Sequence, residues 1–418
     1  MALLKFGNPV IFDQKIPAPK NLAEWLIYSW PMGYAYTIFG LVLAAGIVIG
    51  GRNRAKTPWI AWLPGLWLAW EALATFQTSN RSMSDPIFIH FAACVCLFYL
   101  GWHNSKPGGS IIAILSVIFV AFIVVVRNGF EQHFGGLSAA RAHFFMYVYP
   151  TLKNPPADLI KRMSTTRIFS TLFYPNTLAG AILLYVPLMI CLLLRAREFL
   201  RPAILFTVGT FSVSSAAVCL FWSGSKTGWL LFLLLSLVAL FHAKFDKRNK
   251  ALSISVLLLL GVSGFIIKNK AFFDRGATSV VARSDYWGAA LKIGLGHPLF
   301  GTGPGTFGSH YLKIMPAGGE PSRLAHNDYL EQFCDSGFVG FATYFAFITG
   351  SMVALYRKSA KSIQDGNFWI WLGLLGLCLH SCVEFHLYIP ALAWPLFFFF
   401  GRQWGVEMNR HASIPALR

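Results

Sequence analysis

YPNTLAGAILLYVPLMICLLL, residues 174–194, runs 21 residues without one Asp, Glu, Lys or Arg. A helix needs about 20 mainly apolar residues to cross a hydrocarbon core. Inside that core the backbone is satisfied only in helices or closed barrels. The run therefore reads as a membrane-spanning helix, and the basic loop RAREFLR (195–201) closes it. Runs of the same kind cover Tyr34–Gly50, Pro58–Phe76, Pro86–Trp102, Ser110–Val126, Pro202–Trp222, Thr227–Ala243, Ala251–Ile267, Phe338–Tyr356, Phe368–Phe385 and Ile389–Gly405. That gives eleven spans, and twelve if Ala23–Gly50 holds a pair; Glu24–Trp30 reads as a short interfacial helix. Composition agrees, since 56% of the 418 residues are hydrophobic and 12% charged, against about 25% charged in soluble domains. The expected fold is an all-α polytopic integral membrane protein, one membrane domain over residues 1–418 with long loops at 128–173 and 268–337. No cleavable signal peptide is read in the first 20 residues, which lack a basic start followed by an apolar block.

The net charge of +18 invites a nucleic-acid reading, but its placement argues otherwise. Alternate short loops hold Arg52, Arg54 and Lys56; Lys106; Arg195, Arg197 and Arg201; Lys244, Lys247, Arg248 and Lys250; and Arg357, Lys358 and Lys361. Those fourteen residues face only Arg81 and Lys226 in the opposite short loops. The basic side is cytoplasmic by the positive-inside rule, which sends both long loops to the other side. No basic run interleaved with aromatics forms a nucleic-acid groove. Anionic lipids and an anionic substrate are the better partners.

The longest polar interval is 268–337. It contains RSDYWGAALKIGLGHPLFGTGPGTFGSHYLKI (283–314) and RLAHNDYLEQFCDSG (323–337). Polar residues gathered in one loop of an apolar chain point to chemistry there. Other polar groups border the same face: Lys161, Arg162 and Arg167 precede the span that opens with Pro175 and Asn176, and Lys226 stands in SGSKTGWL. Helix N-termini with nearby cations attract anions, and several such cations together suit a diphosphate. Any one of them alone is as well explained by lipid headgroups. His326 is the candidate base, because an imidazole accepts a proton near neutrality. Asp328 and Glu331 are the carboxylates placed to fix its tautomer. The plain alternative is a surface histidine at a helix start, with Asn327 or Asp328 as the cap.

Nucleotide and metal sites are not expected. GTGPGTFG lacks the Lys-Ser/Thr ending of a P-loop, and a tight turn is its simpler reading. No D-x-D pair or H-x-x-x-H appears in the outer loops, and the whole chain holds 17 acidic residues. Six of the seven cysteines lie in apolar runs, so no disulfide framework is implied. Cys94 and Cys96 read as small buried hydrophobes with no third ligand nearby. Glu71 and Glu384 fall near span ends, where the default is a side chain reaching the interface. No internal repeat or matching pair of broken spans suggests a transporter.

RIFSTLFYPNTLAG (167–180), SGSKTGWL (223–230), RSDYWGAALKIGLGHPLFGTGPGTF (283–307) and HNDYLEQFCDSGFVG (326–340) resemble, in order and spacing, the O-antigen ligase and polymerase superfamily of bacterial membrane glycosyltransferases. The resemblance covers roughly residues 162–355. It implies a GT-C-like inner-membrane enzyme with a periplasm-facing site and no metal or cofactor. The implied donor is an O-antigen glycan on undecaprenyl diphosphate, and the implied acceptor is a sugar hydroxyl of lipid A–core. By resemblance His326 matches the essential histidine and Arg283 the essential loop arginine. Arg167 and Lys226 fall where related chains keep basic residues, more often an arginine at the latter. Arg162 joins them as a diphosphate ligand, with Asn176, Asn327, Asp328 and Glu331 in support. Length favours a ligase over a protein O-oligosaccharyltransferase. A chain polymerase is the nearest alternative, and a lipid-linked glycan flippase the alternative of another class.

Overall fold

The computed structural model describes the chain except residues 17, 28, 50–57, 106–110, 153–159, 161–162, 275–277 and 413–418. Arg52, Arg54, Lys56, Lys106, Lys161 and the candidate ligand Arg162 lie outside the described residues. Every expected span has a helical counterpart. The main helices are α1 (Met32–Ile49), α2 (Leu63–Phe76, led by a 3₁₀ turn at Trp59–Trp62), α3 (Arg81–His103), α4 (Ile111–Glu131), α5 (Pro175–Ala196) and α6 (Pro202–Ser223). They continue with α7 (Lys226–His242), α8 (Lys247–Asp274), α9 (Thr278–Gly296), α10 (Phe307–Ile314), α11 (Asp328–Ser359), α12 (Gly366–His380) and α13 (Pro390–Ala412). Among the described residues there is no strand, and six helices are long and apolar enough to cross a membrane, with three shorter apolar helices beside them. The chain is an all-α polytopic membrane protein.

The apolar run at residues 174–194 forms the central helix, α5. The apolar window of α5 is 83% buried, whereas that of α8 is 6% buried and forms the lipid-facing edge. Helices in lipid lack a hydrophobic drive to associate and pack through close backbone approach at small residues. Gly101 and Gly401 do this between α3 and α13, each facing a backbone carbonyl of the other helix, Phe398 and Phe98 respectively. Gly373 of α12 does the same against the Leu184 carbonyl of α5.

Two departures from expectation shape the site. Helix α12 stops at His380 rather than Phe385, because residues 381–385 turn back toward α11, where Ser381 accepts from the Asp328 amide at 2.9 Å. That early exit takes Glu384 out of a span. Helix α11 is broken at Gly337 (φ +68). A side chain there would strike the Leu299 carbonyl, and Phe338 N–H donates to Pro298 O at 2.7 Å. Glu71 also departs from expectation. It is fully buried beside Ser336, where α2 packs on α11, instead of reaching an interface.

The stretch 268–337 is largely helical, comprising the end of α8, α9, α10 and the first turns of α11. Its glycine segment is pinned to α11. Thr302 N–H donates to Cys334 O (2.8 Å), Gly303 N–H to Asp335 O (3.0 Å) and Gly305 N–H to Asp335 Oδ1 (3.0 Å). Gly301, Gly303 and Gly305 all take positive φ, a conformation costly for other residues. These amides serve the fold, so the segment is a tight turn and not a phosphate cradle.

Candidate active site

His326 sits in the left-handed region (φ +52) immediately before α11. The residues around it hold that conformation. Asn327 Oδ1 caps α11 by accepting from Tyr329 N (3.0 Å) and Leu330 N (3.1 Å). The Glu331 carboxylate accepts from the amide of Ala325, and Asp328 Oδ2 accepts from Leu387 N at 3.0 Å. Trp287 Nε1 donates to the His326 carbonyl at 3.4 Å. The imidazole stacks on Tyr286 (5.7 Å, 24°) and meets the edge of Phe385 (4.7 Å, 75°). Burial pushes the Tyr286 phenol up to about 12, so it stays neutral.

The carboxylate on His326 is Glu384, not Asp328 or Glu331, each of which turns one oxygen to a backbone amide. His326 Nδ1 lies 3.2 Å from Glu384 Oε2. The other oxygen, Oε1, receives Arg283 Nη2 and the side-chain amide of Asn176. Burial by itself would raise the Glu384 carboxyl. The His326 hydrogen bond, its charge and the Arg283 guanidinium outweigh that and hold it well below the usual carboxylate range. An ionised carboxylate only accepts. The Nδ1 proton therefore points at Glu384, and in the neutral ring Nε2 is the nitrogen left to accept a proton.

Arg167 enters from the segment before α5. Gln132 anchors that segment by accepting from Phe169 N (2.9 Å) and Ser170 N (2.7 Å). Arg167 Nε donates to Ser223 O at 2.6 Å and Nη2 to Asn176 Oδ1 at 2.8 Å. Burial lowers the proton affinity of its guanidinium, and the Glu384 charge opposes that. Arg167, Asn176, Glu384, Arg283 and His326 thus form one connected chain of hydrogen bonds. Arg167, Arg283 and His326 line a cavity of about 370 Å³, together with Tyr286, Phe385 and Arg323. Lys226 borders it without lining it. The lysine starts α7 just past Gly224 and Ser223, on which Arg167 lies, and shares a shallow recess with Lys268.

Sequence reasoning missed Glu384 as a site residue, and also Lys268. Glu384 sits in a turn with no motif around it, and its three partners lie 58, 101 and 208 residues away. Cys94 has a histidine neighbour that the sequence reading overlooked, since His90 Nε2 lies 3.8 Å from its sulfur. That ring is already committed to Leu387 O (2.8 Å) and Trp394 Nε1 (3.2 Å). Among the described residues no three His, Cys, Asp or Glu side chains group to hold a metal ion.

No curated protein matches the chain. Residues 211–345 match the family model described as O-antigen ligase. That match runs from α6 through Lys226, Arg283 and His326 into α11. Over those residues the chain, a multi-pass membrane protein, is similar to the O-antigen ligase family.

Proposed function

We propose that the protein is an O-antigen ligase, which moves a glycan from undecaprenyl diphosphate to a sugar hydroxyl of lipid A–core. The periplasmic face of the bacterial inner membrane is the proposed site. The observation that carries the reading is the Glu384 carboxylate, which binds His326 Nδ1 and Arg283 together at the wall of one cavity.

In this reading His326 Nε2 takes the acceptor hydroxyl proton as the hydroxyl oxygen bonds to the anomeric carbon of the donor. The bond from that carbon to the diphosphate breaks, and its electron pair leaves with the polyprenyl diphosphate. Attack opposite the leaving group inverts the anomeric centre. Arg283, Arg167 and Lys226 meet the charge that grows on the diphosphate. Glu384 keeps His326 in the Nδ1–H tautomer and stabilises the imidazolium that forms.

Purified protein given lipid-linked glycan and lipid A–core tests the reading. A ligase places the glycan on lipid A–core; a polymerase lengthens the lipid-linked glycan instead; a flippase makes no glycosidic bond.

A further inference from the structure

A second cavity, about 320 Å³, lies across a short strap from the reaction cavity. Pro321, Ser322 and Arg323 line both spaces. The strap is held close, since a side chain on Gly308 of α10 would approach the Arg323 backbone to 2.8 Å. The far side of the second cavity is made by Ile11, Met83 at the start of α3, and Leu312 of α10. Helix α10 is two-faced: Phe307 and Tyr311 are buried, whereas Leu312 is 58% exposed. The space is thus apolar along one edge and cationic at the strap.

Arg323 differs from the other guanidinium groups at the reaction cavity. Arg283 spends donors on Val383 O (3.0 Å), Ser279 O (3.2 Å) and Glu384, and Arg167 on Ser223 O and Asn176. The Arg323 guanidinium lies over the Phe12 ring, 4.9 Å from its centroid. Phe12 in turn stacks on Phe173 (5.5 Å, 19°). Among the described residues no carboxylate lies within ion-pair distance of Arg323. A half-buried guanidinium placed over an aromatic ring, with no carboxylate partner, is prepared for an anion.

We infer that this second cavity is the acceptor subsite, and that Arg323 binds an acidic group, phosphate or carboxylate, on the acceptor glycan. The inference rests on the ligase reading and names its acceptor side. The donor diphosphate belongs with Arg283, Arg167 and Lys226, with Lys268 of α8 sharing the recess of Lys226. The strap at Arg323 stands three residues from His326, so an acid bound there sets which hydroxyl reaches Nε2. Leu312 and Ile11 suit the apolar part of an amphiphilic acceptor.

The experiment uses full-length protein in nanodiscs, as wild type, R323A and R323K, with lipid A–core left intact, dephosphorylated or carboxyl-reduced. Acceptor binding is measured without donor, and transfer kinetics with it. R323A should weaken acceptor binding about tenfold or more and raise the acceptor KM in step, while the donor KM stays within about twofold. R323K should recover part of the loss. Removing the recognised group should cost wild type the same factor and R323A nothing further. Loss on dephosphorylation identifies phosphate, and loss on carboxyl reduction identifies carboxylate. A rise in donor KM alone overturns the inference, as does an R323A protein that still distinguishes acidic from neutral acceptors. If wild type forms no product on lipid A–core, the ligase reading fails, and the donor-free binding arm judges the subsite separately.

Discussion

His326 and Glu384 stand 58 residues apart in sequence and 3.2 Å apart in space, Nδ1 to Oε2. The same carboxylate receives Arg283 and Asn176 on its other oxygen. One side chain therefore sets the tautomer of the proposed base and the position of the proposed leaving-group arginine. The expected outcomes below follow from that shared anchor and the turns around it.

Glu384→Gln cannot accept from His326 and Arg283 at once, because one amide end is a donor. Transfer should fall by about 10²–10⁴-fold, mostly in kcat. Breaking a buried pair from one side costs about 3–5 kcal/mol, so the variant should also unfold at lower temperature. Rate per mole of folded protein separates the two effects.

His326→Ala should abolish transfer while the amount of protein in the membrane stays normal, because the ring lines a cavity and is not core packing. Immunoblotting of membranes beside a transfer assay checks both halves. Transfer at the wild-type rate would remove His326 from the mechanism. His326→Val should in addition destabilise by about 1–3 kcal/mol, since a β-branched residue resists positive φ.

The Glu384 carboxyl is held below its ordinary 4.5 in the folded protein. A depressed carboxyl contributes stability that is full above its unfolded value and is lost as pH falls through its folded value. The stability difference between wild type and Glu384→Gln should therefore be flat above about pH 5 and shrink below about pH 4.5. Thermal unfolding from pH 3.5 to 8 measures it. Any decline of transfer above pH 5 must come from a group other than Glu384.

Arg167→Lys should not restore what Arg167→Ala loses. Two guanidinium nitrogens reach Ser223 O and Asn176 Oδ1 in different directions, and a single ammonium cannot span both. Both variants should raise the donor KM about tenfold or more, with the acceptor KM little changed.

Gly337→Ala tests the break in α11. The residue has φ +68, and an added side chain meets the Leu299 carbonyl. Strain and overlap should cost at least about 1–3 kcal/mol, read as a loss of folded protein in detergent.

The helices were legible in the sequence because a span is a local property. A run such as residues 174–194 carries its own backbone hydrogen bonds and its own apolar length, and every expected span appears as a helix. The motif residues were legible too. Arg167, Arg283 and His326 stand in recognisable motifs, and they meet around one cavity. The turn at 301–305 is legible in its glycines, which take the positive φ that a tight turn needs.

Tertiary structure decided the partners. Glu384 and Glu71 look alike in sequence, each a lone carboxylate near the end of an apolar run. One anchors His326, Arg283 and Asn176; the other is buried beside Ser336. Asp328 and Glu331, nearer to His326 in sequence, each turn one oxygen to a backbone amide instead. A carboxylate takes its role from the charges and donors that packing brings within about 4 Å. That packing joins segments up to 208 residues apart, a separation over which no local pattern in the chain carries a signal.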